Sequence, residues 1–241
     1  MSIELVWQYL VSPSFIRGAG MTLLLTVTSL FFGVVIGLVL ALIQETRTRA
    51  GQVMTFAYLW LFRGTPVLFQ VIFIYNVLPS FGIRLSAFVS AVLALSLNEG
   101  AYMAEILRSG LQAVKKGQRT AGLALGMTAG QMMRHVVIPQ AARIVLPPIG
   151  NQMIGMLKLS ALVSVIAVEE LLLVANQTAS ADFRYFEALT AAGIYYLAMT
   201  TAFMALQVLI ETALDPKKRQ RMRGISLTER MLGTSQSFAV R

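Results

Sequence analysis

Hydrophobic and polar positions in this chain fall into long blocks rather than short alternations. Met21 to Ile43 holds no ionisable residue, and neither do Leu85 to Leu97 or Ala188 to Ile210. Runs near 20 residues match a hydrocarbon core of ~30 Å at ~1.5 Å of rise per residue. These runs lack the polar stripe, recurring every helical turn, that a soluble helix carries. The pattern predicts an all-α membrane protein with about five transmembrane helices, at residues 22–43, 53–78, 85–107, 141–168 and 188–214. Residues 20–214 form the transmembrane domain, residues 1–19 an external amphipathic segment and residues 215–241 a basic tail. The leading segment, Glu4 to Phe15, is broken by Pro13 and suits the outer interface. In the first span Gly33 and Gly37 lie one turn apart, which permits close helix contact. Arg63-Gly64-Thr65-Pro66 interrupts the second span. The apolar stretch from Gln140 to Val174 exceeds one crossing and is interrupted by Pro147-Pro148, Lys158 and Ser160, so a broken or tilted fourth helix is expected. Asn176 to Glu187 reads as an external loop.

Composition agrees with the pattern. Charged residues make up 13% of the 241 positions, about half the share in a soluble domain. Cysteine is absent, which removes disulfides and thiolate metal sites, and the single histidine, His135, argues against a protein-only metal centre. The first apolar run is too long for a signal-peptide core and lacks a cleavage site, so it reads as a retained span. The net charge of +9 says less than its placement. Arg47 and Arg49 follow the first run, six basic residues from Arg108 to Arg143 surround a polar loop, and Lys217, Lys218, Arg219, Arg221 and Arg223 follow the last run. Glu169, Glu170, Asp182 and Glu187 dominate the segment before the fifth span. The positive-inside rule then predicts an external amino terminus, a cytoplasmic carboxyl terminus and an odd number of crossings. The basic tail suits anionic membrane lipid rather than nucleic acid.

The polar loop, residues 110–139, is patterned. Thr128 opens a capping box with Gln131. Ala129, Met132, Met133 and Val136 recur on one face of a short helix that Pro139 is expected to end. Gly126 lets the chain leave a preceding helical stretch, Gln118 to Leu125, at a sharp angle. The methionine-rich face either docks a partner or packs on the protein's own helices. Periodicity leaves both open.

Charged residues inside spans are costly and mark candidate sites. Glu105 stands three residues before Arg108, the spacing of an intrahelical ion pair. Glu99, flanked by Asn98 and Ser96, either meets a solute or pairs with Arg63 or Lys158 for assembly. The break after Arg63 could aim backbone dipoles at a zwitterion or be a structural kink. Gln70 and Asn151 offer neutral donors and acceptors, and Lys158, deep in the fourth span, calls for a carboxylate partner.

Thr120-Ala121-Gly122, then Gly126, then Val136-Val137-Ile138-Pro139 resembles the EAA loop of ATP-binding-cassette importer permeases, E-A-A-x3-G-x9-I-x-L-P, with every spacing kept. Arg63-Gly64-Thr65-Pro66 with Gln70, Asn98-Glu99-Gly100-Ala101-Tyr102 with Glu105 and Arg108, Gly117-Gln118, Pro139-Gln140-Ala141, and Asn151, Lys158, Ser160 and Leu162 are similar to the polar amino-acid uptake branch, with its histidine-, glutamine- and arginine-type permeases. The chain departs where the namesake glutamate is Thr120, the second alanine is Gly122, and Leu159 replaces an acid. The resemblance implies a multi-pass permease of the bacterial inner membrane that moves a polar amino acid or similar zwitterion inward by alternating access. It implies two partner ATPase subunits holding ATP and Mg, a second permease subunit, identical or related, and an extracytoplasmic substrate-binding protein. The chain itself would bind no cofactor or metal and is no enzyme; it has no G-x-x-x-x-G-K-[ST] loop. ATPase coupling would fall to Gly117, Thr120, Ala121, Gly122, Gly126, Thr128, Met132, Met133 and Pro139, and the substrate pathway to Arg63, Thr65, Gln70, Asn98, Glu99, Asn151, Lys158 and Ser160. A self-contained secondary transporter or channel is the alternative, which five spans and a docking loop argue against.

Overall fold

Apolar blocks of spanning length fold as helices, because every backbone polar group must be satisfied within its own segment. A computed structural model describes residues 2–46, 48–114 and 116–214. The expected roles of Arg47, Lys115 and the basic tail lie outside the described residues. Among the described residues, four helices are long and apolar enough to cross a membrane, or five crossings result if one bent pair counts as a single crossing.

Helix α1 (Ile3–Leu10) is capped by the Ser2 side chain, and Pro13 takes the first turn of α2 (Pro13–Glu45), where its missing N–H costs nothing. Helix α3 (Arg49–Gly64) and helix α4 (Val67–Val77) are the halves of the interrupted second span, and the pair is bent by 101°. Then follow α5 (Ala87–Ala113), α6 (Lys116–Ala124), α7 (Ala129–Met132) and α8 (Ile138–Leu159), the last running on as a 3-10 turn to Ile166. Helices α9 (Leu171–Asp182) and α10 (Tyr185–Leu214) complete the chain.

The expected loop at Asn176 to Glu187 is therefore mostly helix. The amino terminus of α9 is capped by its own N-cap residue, Glu170, and by Thr22 of α2. The Leu171 N–H donates to Thr22 Oγ1 at 3.1 Å, and those of Leu172 and Leu173 donate to the Glu170 carboxylate at 2.9 and 2.7 Å. Thr22 in turn donates its hydroxyl proton to the Gly18 carbonyl at 3.0 Å, so its oxygen serves both helices. Phe183, in the left-handed region at φ 54°, closes α9, leaving only a short link to α10.

Two compact units emerge, one of residues 1–105 with 152–199, the other of residues 106–151 with those from Thr200 onward. In the first, Leu25, Val71, Ile74, Leu95, Met156 and Val163 form a buried core from α2, α4, α5, α8 and the 3-10 turn. Here α2 and α5 run side by side in the same direction. A Cβ on Gly33 would lie 2.7 Å from Glu99 Cγ, and one on Gly37 2.4 Å from Met103 Cβ, so the expected close contact is made. Helix α1 is tied to the same unit by Tyr9, whose hydroxyl donates to Asp182 at 2.7 Å, and by Tyr195, which donates to the Leu10 carbonyl at 2.6 Å. In the second unit Leu111, Val114, Met132, Val137 and Ala141 form a smaller core.

Candidate functional site

The break in the second span follows from its proline. Thr65, preceding Pro66, is held in extended conformation at φ −117° and ψ 145°, which stops α3 and leaves carbonyls without helical partners. Two side-chain amides satisfy them. Gln70 Nε2 donates to the Phe62 carbonyl at 3.0 Å and lies 3.1 and 2.9 Å from the carbonyl and hydroxyl oxygens of Thr65. Asn98 Nδ2 reaches the same Phe62 carbonyl at 2.9 Å and Gln70 Oε1 at 3.3 Å, joining α5 to the break. Both amides are buried. The carbonyl side of the break is thus a finished structural knot, whereas α4 begins with no side-chain cap. Replacing Gln70 by Leu would take the donor from the Thr65 carbonyl and leave the Phe62 carbonyl to Asn98 alone, at a cost of about 1–3 kcal/mol. A fall in the melting temperature of the solubilised protein is the expected result, and an unchanged melting temperature would contradict the knot.

The expected Glu105–Arg108 pair does not form. Glu105 bonds to Arg63 of α3 instead, and the guanidinium lies 5.4 Å from the centre of the Tyr102 ring. Arg108 Nε is buried with no hydrogen-bond partner among the described residues. Helical spacing made the local pair available, but the end of α3 delivers a cation directly to Glu105. Glu99 pairs with neither Arg63 nor Lys158. It is buried against Gly33, and its Oε1 has no partner among the described residues. Ser29 and Ser96, about one turn back along α2 and α5, also bury unpartnered hydroxyls. Lys158 is exposed and makes no ion pair with a described residue. Ser160 is buried and donates to the Leu157 carbonyl at 2.8 Å. Asn151, in the second unit, is exposed with its Oδ1 3.5 Å from Gln207 Nε2. The sequence-predicted polar residues therefore divide into a knot (Thr65, Gln70, Asn98), an ion pair (Arg63), an orphaned buried acid (Glu99) and residues apart from these. A cavity of about 510 Å³ in the angle between α3 and α4 is lined by Leu61, Phe62, Phe69 and Phe73 with few polar atoms, which is the wrong chemistry for a polar solute.

The polar loop folds from its own sequence. Helix α6 ends in a Schellman motif, with Met127 N–H donating to the Gly122 carbonyl at 3.1 Å and Gly126 N–H to that of Leu123 at 2.9 Å. Gly126 takes φ +77°, where a side chain would be strained. Thr128 then forms the expected capping box, at 2.9 and 3.3 Å to Gln131. Of the two fates left open for the methionine face, packing on the chain's own helices holds for Met132, which is buried with Leu111, Val114, Val137 and Ala141. Met127 and Met133 border that cluster, and a Cβ on Gly122 would lie 3.3 Å from Met127 Sδ. Among the exposed positions are Gly117, Thr120, Ala121, Leu123, Gly126, Thr128, Arg134, His135, Pro139 and Leu125, the last at 83%. Pro139 does not end the helix. A π turn over Met133–Val137, closed by Ile138 N–H to the Met133 carbonyl, places Pro139 in the first turn of α8, where no N–H is required.

Glu170 is the residue that sequence reasoning misplaced. It appeared as one of several acids in the stretch before the fifth span, yet it is fully buried, caps α9 and accepts a hydrogen bond from Tyr196 at 2.9 Å. Burial pushes its carboxyl up against the opposing pull of those hydrogen bonds. Its place immediately before an apolar run was the available signal.

Residues 33–216 match a family model described as "Binding-protein-dependent transport system inner membrane component". The chain is 40% identical over 193 residues to the glutamine transport system permease protein GlnP of Escherichia coli K12, covering 78% of this chain and 87% of the relative. It is 38% identical over 185 residues to the arginine transport system permease protein ArtQ of Bacillus subtilis, covering 76% and 84%. A chain from the crystal structure of an amino acid ABC transporter with histidines superposes with a TM-score of 0.80 at 41% identity, over 88% of this chain and 99% of that one. A chain of the MetNI methionine ABC transporter, 18% identical with a TM-score of 0.72 over 89% and 100%, shares the fold.

Proposed function

The chain belongs to the family of inner-membrane components of binding-protein-dependent transport systems, and from that premise we propose that it carries a polar amino acid or related zwitterion inward as the permease subunit of an ATP-binding-cassette importer. The observation that carries this reading is the joint agreement in sequence and fold with amino-acid permeases over most of the chain. In this reading ATP and Mg reside on two separate ATPase subunits. A second permease subunit, identical or related, encloses the pathway, and a substrate-binding protein delivers the solute at the face where the amino terminus lies. The carboxyl terminus and the loop lie in the cytoplasm.

The geometry of the loop supports the partner. A corner fixed by a Schellman motif and a capping box holds Leu123 and Leu125 out into solvent. Exposed leucines on a rigid corner are what a groove on another subunit can grip. Met132 and Met133 then serve as the packing that braces the corner. Partner movement would reach α5 and α8 through this brace, since Leu111 and Val114 at the end of α5 and Ala141 of α8 belong to the same cluster.

Co-purification with the cognate ATPase and reconstitution in proteoliposomes provides the test. ATP-dependent uptake of L-glutamine, L-arginine or L-histidine, collapsing when ATP is withheld, is the expected outcome. Uptake driven equally well by an ion gradient without ATP would overturn the proposal.

A further inference from the structure

Arg63 and Glu105 remain 40% and 41% exposed although they bond to one another. Both belong to helices with the composition of a membrane crossing, and Glu105 stands about two turns before the end of α5. Lipid hydrocarbon does not tolerate the open side of an ion pair, so that side faces water or polar groups. Its surroundings fit a polar space. A Cβ built on Gly64 meets nothing within 4 Å, so the end of α3 next to Arg63 borders open space. The Tyr102 ring beneath the guanidinium is itself 36% exposed. The Phe62 and Thr65 carbonyls at the break accept from Gln70 and Asn98, and Arg63 makes its bond to Glu105 instead.

We propose that Arg63, Glu105 and Tyr102 form a zwitterion-reading point on the aqueous pathway, an assignment that rests on the permease reading above. The substrate carboxylate replaces Glu105 on the Arg63 guanidinium, which can grip it through two parallel N–H donors. The substrate ammonium replaces Arg63 on Glu105. Two opposite charges enter and the one internal ion pair is replaced by two, so the exchange leaves no charge unpaired. A solute carrying only one of the two charges would strand either Arg63 or Glu105, and the point therefore selects for dipolar solutes. Tyr102 holds the guanidinium in place by cation–π attraction while the internal pair is open. The exchange also explains why this pair is half exposed, whereas the acid at Glu99 is buried.

The absence of native cysteine makes the test direct. In the assembled transporter, Glu105→Cys and Val35→Cys, the latter 44% exposed on α2, are treated with a membrane-impermeant charged methanethiosulfonate, and modification of this subunit is read by mass. Thiolate forms in polar surroundings, so Glu105→Cys is expected to react about 100-fold faster than Val35→Cys. Equal, slow reaction at both positions would overturn the proposal. In parallel, Glu105→Gln is expected to raise the KM for the transported amino acid about 10-fold, with its melting temperature held near that of the wild type, through loss of one charge-assisted contact. An unchanged KM would count against it equally. Wild-type uptake is scored separately. Failure there rejects the permease reading, whereas active wild type with an unreactive Glu105→Cys rejects only the zwitterion point.

Discussion

Leu125→Asp is expected to remove most substrate-stimulated ATP hydrolysis from the reconstituted transporter while leaving this subunit as stable as the wild type. Leu125 is 83% exposed at the last position before the left-handed Gly126, so its side chain contributes little to the fold. Substitutions at such positions usually change stability by less than about 0.5 kcal/mol. Buried in a partner's groove, an apolar anchor is worth about 2 kcal/mol or more, and a carboxylate there adds its own desolvation cost. Association with the ATPase should therefore weaken about 30-fold or more. Met132→Ala makes the informative contrast. It removes a buried side chain from the Leu111–Val137–Ala141 cluster and should cost about 2–5 kcal/mol of stability. Stimulated hydrolysis at wild-type levels in Leu125→Asp, with the ATPase still bound, would place the docking surface elsewhere.

A large loss of stability is expected from Gly37→Val. The first added atom would lie 2.4 Å from Met103 Cβ, 2.8 Å from the Met103 carbonyl carbon and 2.8 Å from the Ala104 nitrogen. Two of those three are backbone atoms, so no rotamer change relieves the clash, and α2 must separate from α5. The cost should reach or exceed the ~3 kcal/mol upper end of ordinary overpacking. Gly20→Ala, on the same helix, has nothing within 4 Å of the new methyl group and should gain stability from helix propensity alone. Thermal melting of the solubilised protein, with yield from the membrane fraction, checks both. Gly37→Val melting within a degree or two of the wild type would mean that the α2–α5 contact is not fixed as described.

What could be read from the sequence was what one segment decides for itself. The break at Pro66, the capping box at Thr128, the left-handed turn at Gly126 and the close-contact glycines at 33 and 37 all follow from local stereochemistry. Periodicity identified the Met132 face but not the direction in which it points, because a helix face has no label for its partner. The α9 segment was misread because the acceptors that cap it are Thr22, on another helix, and Glu170, an acid that looked solvated. The Arg63–Glu105 pair escaped notice for a related reason. The two residues are 42 positions apart, and helical spacing offered Glu105 a nearer but unused cation in Arg108. The π turn before Pro139 was hidden because a proline commonly ends a helix, and only the extra residue of that turn permits continuation.

The corner between α6 and α7 has a consequence for how such subunits diversify. The residues that set its angle are Gly122, Gly126, Thr128 and Gln131. The outward side chains, Leu123, Leu125, Arg134 and His135, are a different set. Shape and surface are thus written in separate alphabets. On the permease reading proposed above, a lineage could exchange one motor for another by rewriting the second set, without retuning the angle at which the motor's stroke would be received.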